Sequence, residues 1–370
     1  MSRINKAIRE IDMSPIRRVF DKAADLRDPV NLSIGIPHID TPARLREHIC
    51  ESINDARNAY TGTQGQPALI DTVVGDMARH GVSTSPSGVI ITAGAAGALD
   101  LALRCILEPG DEIVVPDPYF LSYVAIPPLC GARVRLLDTY PDYRIHEGRL
   151  RELVGERTKA IIINTPHNPT GRVYSREEID AVAAVAKENG LIVISDEVYK
   201  GYVYQGEHIS MGSVYKDTII IGSFSKSHAV TGWRVGYAAG PADIIQEMAK
   251  LQQFTYVCAN APAQHALSKE QDVVPEVKDA AALYRENSRR VVEGLSDKFD
   301  LVEPQGAFYA FLKVPEGYED DEAFVNAALE RNLLIVPGSA FSQKKSHVRV
   351  SFATTPETLE KGIGILREMA

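Results

Sequence analysis

The feature that most constrains this chain is an alternation that runs from about residue 45 to 285. Short β-branched runs recur there, each bounded by turn signals and followed by helical periodicity. They are GVIITA (88–93), DEIVVP (111–116), ARVRLL (132–137), KAIIINT (159–165), LIVISD (191–196), TIIIGS (218–223) and VGYAAG (235–240). A strand with one wet face alternates apolar and polar side chains. These runs are nearly continuous, so both of their faces must be covered. Helices packed on both sides of a mostly parallel sheet meet that demand. The helical stretches carry their own stop and start signals: Ser175 to Glu178 reads as a capping box, and Asn189-Gly190 ends the helix that follows it. The expectation is an α/β fold with a mostly parallel seven-stranded sheet.

The rhythm changes beyond about 285. AFYAFLKV (307–314) and VRVSFA (348–353) read as antiparallel strands, and Thr355-Pro356 starts a final helix. At the other end, Ser14-Pro15 opens a helical segment that stops before Asp28-Pro29, and NLSIGIPHIDTP (31–42) reads as loop. This divides the chain into an N-terminal arm (1–44), a large domain (45–285) and a smaller α+β domain (286–370) against which the arm packs. The length of 370 residues agrees with two or three domains of about 150 residues each.

Composition excludes several classes of function. With 40 basic against 49 acidic residues, the net charge of −9 gives no polyanion-binding surface by default, so no nucleic acid is expected. No run approaches the roughly 18 apolar residues of a membrane span, and the first residues, MSRINKAIRE, contain no apolar leader core. The four cysteines, Cys50, Cys105, Cys130 and Cys258, form no CxxC and lie near no histidine at metal spacing. Cys50 and Cys105 fall in apolar helical patterns and are expected as buried thiols. A metal-free protein of a reducing cytoplasm is the expectation.

Four segments carry chemistry. In SFSKSHAVTGWRVG (223–236) a lysine follows the carboxyl end of an apolar strand, the end that faces the ligand crevice of an α/β sheet. Alone, Lys226 would be read as a surface lysine. Its neighbours change that reading: Ser223 and Ser225 are neutral donors, Arg234 lies eight residues on, and Gly232 and Gly236 permit close backbone approach. The set suits a phosphate together with a Schiff-base lysine. In LIVISDEVYKGY (191–202), Asp196 ends a buried strand, where a carboxylate must be paired or face an opening. It can cap a helix or bridge to a pyridinium nitrogen. Tyr199 follows one turn later. NTPHNPTG (164–171) is a rigid loop at another strand's end and can present the Asn168 amide, with His167 as an ordinary loop residue. ITAGAAGALDLAL (91–103) passes from a strand through glycine into a helix whose N-terminus can hold an anion. Arg349 in VRVSF is a fork suited to a carboxylate, or a strand arginine in an ion pair. Tyr119 in DPYF can stack on a flat ring or belong to the core.

In this order the segments resemble the class I/II aminotransferases of fold type I, the aspartate-aminotransferase-like family. The resemblance runs from Gly35 to Arg349. It implies a pyridoxal 5'-phosphate (PLP) enzyme that moves α-amino groups between amino acids and 2-oxo acids by a ping-pong mechanism. Lys226 would hold PLP as an aldimine and then carry the proton. Asp196 would pair with the ring nitrogen, Tyr199 and Asn168 would bond the phenolic oxygen, and Tyr119 would stack on the ring. Ala95, Ala96, Ser223 and Arg234 would hold the phosphate. Arg349 and Asn168, with the Gly35 backbone and Tyr119 beside them, would bind the substrate. Tyr60 resembles the tyrosine that reaches the phosphate of a neighbouring subunit, which implies a homodimer with shared sites. The resemblance also implies cis bonds at Asp117-Pro118 and Asn168-Pro169. A PLP-dependent β-lyase or an aminocyclopropane-carboxylate-synthase-like enzyme would keep the same residues. A non-catalytic regulator of this fold is the remote alternative.

Substrate choice is less legible. Some aspartate-specific relatives carry a lysine in the Gly-rich turn, where this chain has Ala96. Ile36 stands where an acidic or amide residue is common. Both departures weigh against aspartate specificity and leave aromatic, aliphatic, methionine-like or broad substrates open. Arg17, Arg18 and Lys200 are candidate distal cations.

Overall fold

The computed structural model describes residues 3–9, 11, 26–270 and 274–370. The helix expected from Ser14 lies almost wholly outside the described residues, as do Arg17 and Arg18. In chain order the strands are β1 Val30–Asn31, β2 Val89–Thr92, β3 Glu112–Asp117, β4 Arg133–Asp138, β5 Thr158–Asn164, β6 Ile192–Asp196, β7 Thr218–Ser223, β8 Gly236–Ala239, β9 Tyr309–Lys313, β10 Leu333–Leu334, β11 Val336–Pro337 and β12 His347–Ser351.

All seven apolar runs become strands of one sheet, in the order β2-β8-β7-β6-β5-β3-β4. Only β8 runs antiparallel to its neighbours, β2 and β7; the other pairs are parallel. Every residue of β2, β3, β7 and β8 is buried. β4 departs from the continuous pattern because it is an edge strand: Arg133, Arg135 and Asp138 are exposed on it, and charged edge residues discourage further strand pairing. Helices Gly94–Ile106 and Ala242–Gln253 pack on one face, and Arg176–Asn189 on the other. Ser175 caps the last of these with a complete capping box, and Gly190 closes it at φ +63°.

The strands after 300 form a separate antiparallel sheet, β11-β12-β9, and β1 pairs in parallel with β10, so the chain near residue 30 joins the C-terminal part. The 21-residue helix Pro275–Leu295 runs through position 285, where the rhythm was expected to break. Thr355 caps the final helix, Pro356–Met369.

The expectation of buried thiols is corrected. Cys50 is exposed and the other three cysteines are partly buried, all of them free. Helix Ala43–Asn54 buries Leu45 and Ser52, and Cys50 lies outside that stripe. Asp117-Pro118 and Asn168-Pro169 are cis, as are Tyr140-Pro141 and Thr165-Pro166. Among the described residues, no helix is long and apolar enough to cross a membrane, and no group of three or more side chains could hold a metal ion.

Candidate active site

A cavity of about 360 Å³ opens where three parallel strands end. β5 ends at Asn164, β6 at Asp196 and β7 at Ser223, and all three residues line it. Asn164 and Asp196 are register partners. Lys226 follows on the short helix Phe224–Ser227. The opposite wall comes from the loop Ser33–Ile36 and from Tyr309 and Arg349, on paired strands β9 and β12.

At one end the geometry suits a phosphate. Gly94 opens the 13-residue helix Gly94–Ile106 at φ +72°, and a Cβ there would stand 2.7 Å from Arg234 Nη2. A Cβ on Gly236 would stand 2.6 Å from Gly94 C and 2.7 Å from Ala95 N. Glycine at both positions therefore lets the guanidinium and the start of β8 close upon the helix N-terminus. Its free N–H groups and positive dipole end meet a fixed cation there. Arg234 is itself held by donating to Thr231 O at 3.0 Å. Ala95, Ala96, Ser223 and Ser225 line the same corner.

Farther in lies Asp196. Burial raises its carboxyl to about 6, against the stabilising donations of Tyr123 Oη at 2.6 Å and Val198 N at 3.2 Å. No cation pairs with it among the described residues. A buried carboxylate facing a cavity in this way calls for a cationic group across from it.

The Lys226 amine donates to Gly35 O at 2.5 Å. Burial lowers its pKa to about 8, helped by the charges of Arg349 and Arg234. Arg349 is buried between two rings, its guanidinium carbon 4.4 Å from the centre of Tyr309 and 4.5 Å from that of Phe341. It donates to Asn168 Oδ1 at 3.0 Å and Ser33 O at 2.9 Å, which leaves its Nε buried without a partner. Neither acceptor carries charge, so this cation is open to an anion. Asn168 is fixed in turn by its backbone N donating to Asn164 Oδ1 at 2.9 Å. Tyr199 Oη lies 2.8 Å from Tyr309 Oη.

Most residues expected at the site from the sequence meet here: Gly35, Ala95, Ala96, Asn168, Asp196, Tyr199, Ser223, Lys226, Arg234 and Arg349. Two do not. Tyr119 is buried outside the cavity, its backbone N held by Phe341 O at 2.7 Å, and the next residue, Phe120, lines the cavity with Tyr123. Of these two neighbours, Phe120 and not Tyr119 faces the cavity. Tyr60 is 80% exposed and does not line the cavity of its own chain. Lys200 is no distal cation: it pairs with Asp76 and lies 3.1 Å from Tyr237 Oη, beside a second cavity of about 200 Å³. His167 is an ordinary buried loop residue bonded to Thr170 Oγ1 at 2.7 Å. Asn164, Tyr123, Tyr309 and Ser33 escaped the sequence reading. Only Asn164 had a signal, as the last residue of a strand already marked for its loop.

Residues 27–366 match the family described as Aminotransferase class I and II. A probable aspartate aminotransferase of Methanocaldococcus jannaschii is 32% identical, over 99% of this chain and 99% of its own. An aspartate/prephenate aminotransferase of Thermus thermophilus is also 32% identical, over 98% and 97%. The structure of Thermus thermophilus aspartate aminotransferase with maleate matches at a TM-score of 0.95 and 32% identity, covering 100% of both chains. Together these matches make the fold that of the α/β aminotransferases. More particularly, the chain belongs to the class I and II aminotransferases, a family that uses PLP.

Proposed function

We propose that this chain binds PLP through Lys226 and transfers the α-amino group of an amino acid with an uncharged side chain to a 2-oxo acid. One observation carries the reading: a neutralisable amine, Lys226, and an unpaired buried carboxylate, Asp196, face one cavity with an anion cradle at its end. The donor set fits the cofactor. Asp196 would face the ring nitrogen, Phe120 the ring, Tyr199 and Asn168 the phenolic oxygen, and the Gly94 helix with Arg234 and Ser223 the phosphate.

When bound, PLP supplies an electron sink for the charge that develops at the substrate Cα. The protein does the rest. Arg349 and Asn168 would grip the α-carboxylate, which leaves Cα beside the Lys226 amine. That amine, whose lowered pKa leaves a larger neutral fraction than an ordinary lysine has, would take the Cα proton and return it elsewhere on the same face. Asp196 would hold a proton on the ring nitrogen, and the buried setting would keep water from competing.

The side-chain class follows from what lines the remaining wall. The three cations of the cavity among the described residues are Lys226, Arg234 and Arg349, and each already has a role. Ile34, Ile36 and Ala96 also line the cavity and offer no charge to a distal carboxylate. With 2-oxoglutarate as acceptor, a donor panel should give glutamate, and kcat/KM for leucine, methionine or phenylalanine should exceed that for aspartate by about tenfold or more. Ammonia and pyruvate in place of glutamate would mark a lyase, and aspartate leading the panel would refute the side-chain assignment.

The reading includes a homodimer in which Tyr60 of one subunit serves the phosphate of the other. Its exposure supports this, as does exposed Phe254. A Tyr60→Phe subunit should bind the cofactor about tenfold more weakly. Hybridised with excess Lys226→Ala subunits, it should recover toward the native value, because each hybrid contains one site with both residues intact. No recovery would place Tyr60 in its own subunit's site or nowhere near it. We also place the enzyme in the cytoplasm, since its four cysteines are free; cell fractionation tests this.

A further inference from the structure

We infer that Tyr309 is a positioning residue that turns the Tyr199 hydroxyl proton toward the cavity and thereby sets Tyr199's strength as a donor to the cofactor's phenolic oxygen. This rests on the reading of Lys226 and Tyr199 given above.

Each phenol carries one proton, and the two buried hydroxyls lie 2.8 Å apart. Tyr309 Oη has no acceptor other than Tyr199 Oη among the described residues. Gly35 crowds it on another side, where a Cβ would stand only 2.4 Å from Tyr309 Oη. A buried hydroxyl that fails to donate loses the hydrogen bond it had with water, so Tyr309 donates and Tyr199 accepts. The proton of Tyr199 is then the one left for the cavity. Receiving a hydrogen bond polarises the Tyr199 hydroxyl and makes it the better donor. Strand β9 aids this, because its pairing with β12 sets the Tyr309 ring beneath the Arg349 guanidinium, 4.4 Å away. That positive charge strengthens the outward pull on the Tyr309 proton. A residue of the small sheet thus reaches across to tune a donor just beyond the end of β6.

The test is a pH titration of the absorbance of the PLP-loaded enzyme. Tyr309→Phe keeps the ring under Arg349 and removes only the hydroxyl. Tyr199 should then donate less strongly, the phenolic oxygen should keep more negative charge, and the neighbouring nitrogen should hold its proton to higher pH. The midpoint should rise by about half a pH unit to one unit, with KM for the amino acid changed less than about threefold. Tyr199→Phe should shift the midpoint further, and adding Tyr309→Phe to it should shift it no more. An unchanged midpoint in Tyr309→Phe overturns the inference, as does a shift of equal size on the Tyr199→Phe background. So does a loss of amino-acid binding without a shift, which would confine Tyr309 to packing Arg349. If the native enzyme shows no titrating absorbance at all, the Lys226 reading falls first and takes this one with it.

Discussion

Lys226→Ala should abolish the lysine-linked absorbance and lower turnover by about 10⁴-fold or more, while the chain stays folded. Two contributions are lost together. One is the covalent anchor that keeps the cofactor oriented against the substrate, and the other is the base that moves the Cα proton. General acid–base catalysis alone is worth about 10²- to 10⁴-fold, and orientation adds to it. Folding should survive because, among the described residues, the amine's one hydrogen bond is to Gly35 O, and a half-buried lysine contributes little to the core. Lys226→Arg should be equally inactive, since a guanidinium stays protonated and cannot attack an aldehyde. The pH dependence has a definite sign. Burial and two neighbouring cations disfavour the charged amine, so its pKa falls to about 8. The neutral fraction, and with it the rate at which PLP attaches to cofactor-free protein, should rise with pH through that value and level off above it. An attachment rate that is flat between pH 6.5 and 9 would count against Lys226 as the attacking group.

Why this much of the site could be read from sequence, and no more, follows from where its residues sit. Asp196 and Lys226 stand at or just beyond the ends of strands whose apolar runs are unmistakable, and in a parallel sheet those ends share a crevice whatever the rest of the chain does. Arg234 and Gly94 lie far apart in sequence, but each belongs to a marked strand–turn junction. Phe120 illustrates the limit. Three aromatics fall within YFLSY (119–123), and which of them faces the ligand depends on a backbone bond from Tyr119 to Phe341, a residue more than two hundred positions away. Tyr309 is a similar case: in a strand of the small sheet it reads as core. Its meeting with Tyr199 comes from packing across a sequence separation of 110, for which local pattern holds no information. Cys50 failed the other way: it follows apolar Ile49, but its own place on the helix faces solvent.

Asp196→Asn should separate stability from function, because the same carboxylate that the ring nitrogen needs is a burden to the cofactor-free chain. In the folded protein it releases its proton near 6, against 3.8 for the ordinary carboxyl. Between those values the native state holds more protons than the unfolded one. The group's favourable share of stability is therefore full below about 4 and is lost as pH rises through 6. A shift of that size corresponds to roughly 3 kcal/mol above pH 6. The amide fills the same space without charge, and the Tyr123 hydroxyl can turn to accept from it. Cofactor-free Asp196→Asn should then melt about 4 °C higher than the parent at pH 7.5, and the difference should vanish near pH 4. Loading PLP should reverse the order, since a protonated ring nitrogen stabilises the carboxylate and has nothing to pair with in the amide. Turnover should fall by about 10²- to 10³-fold, the usual effect of deleting one buried electrostatic partner of the reacting group. A variant that melts lower than the parent without cofactor would mean that Asp196 has a cationic partner in the protein itself, and the case for a ligand cation at this position would fail.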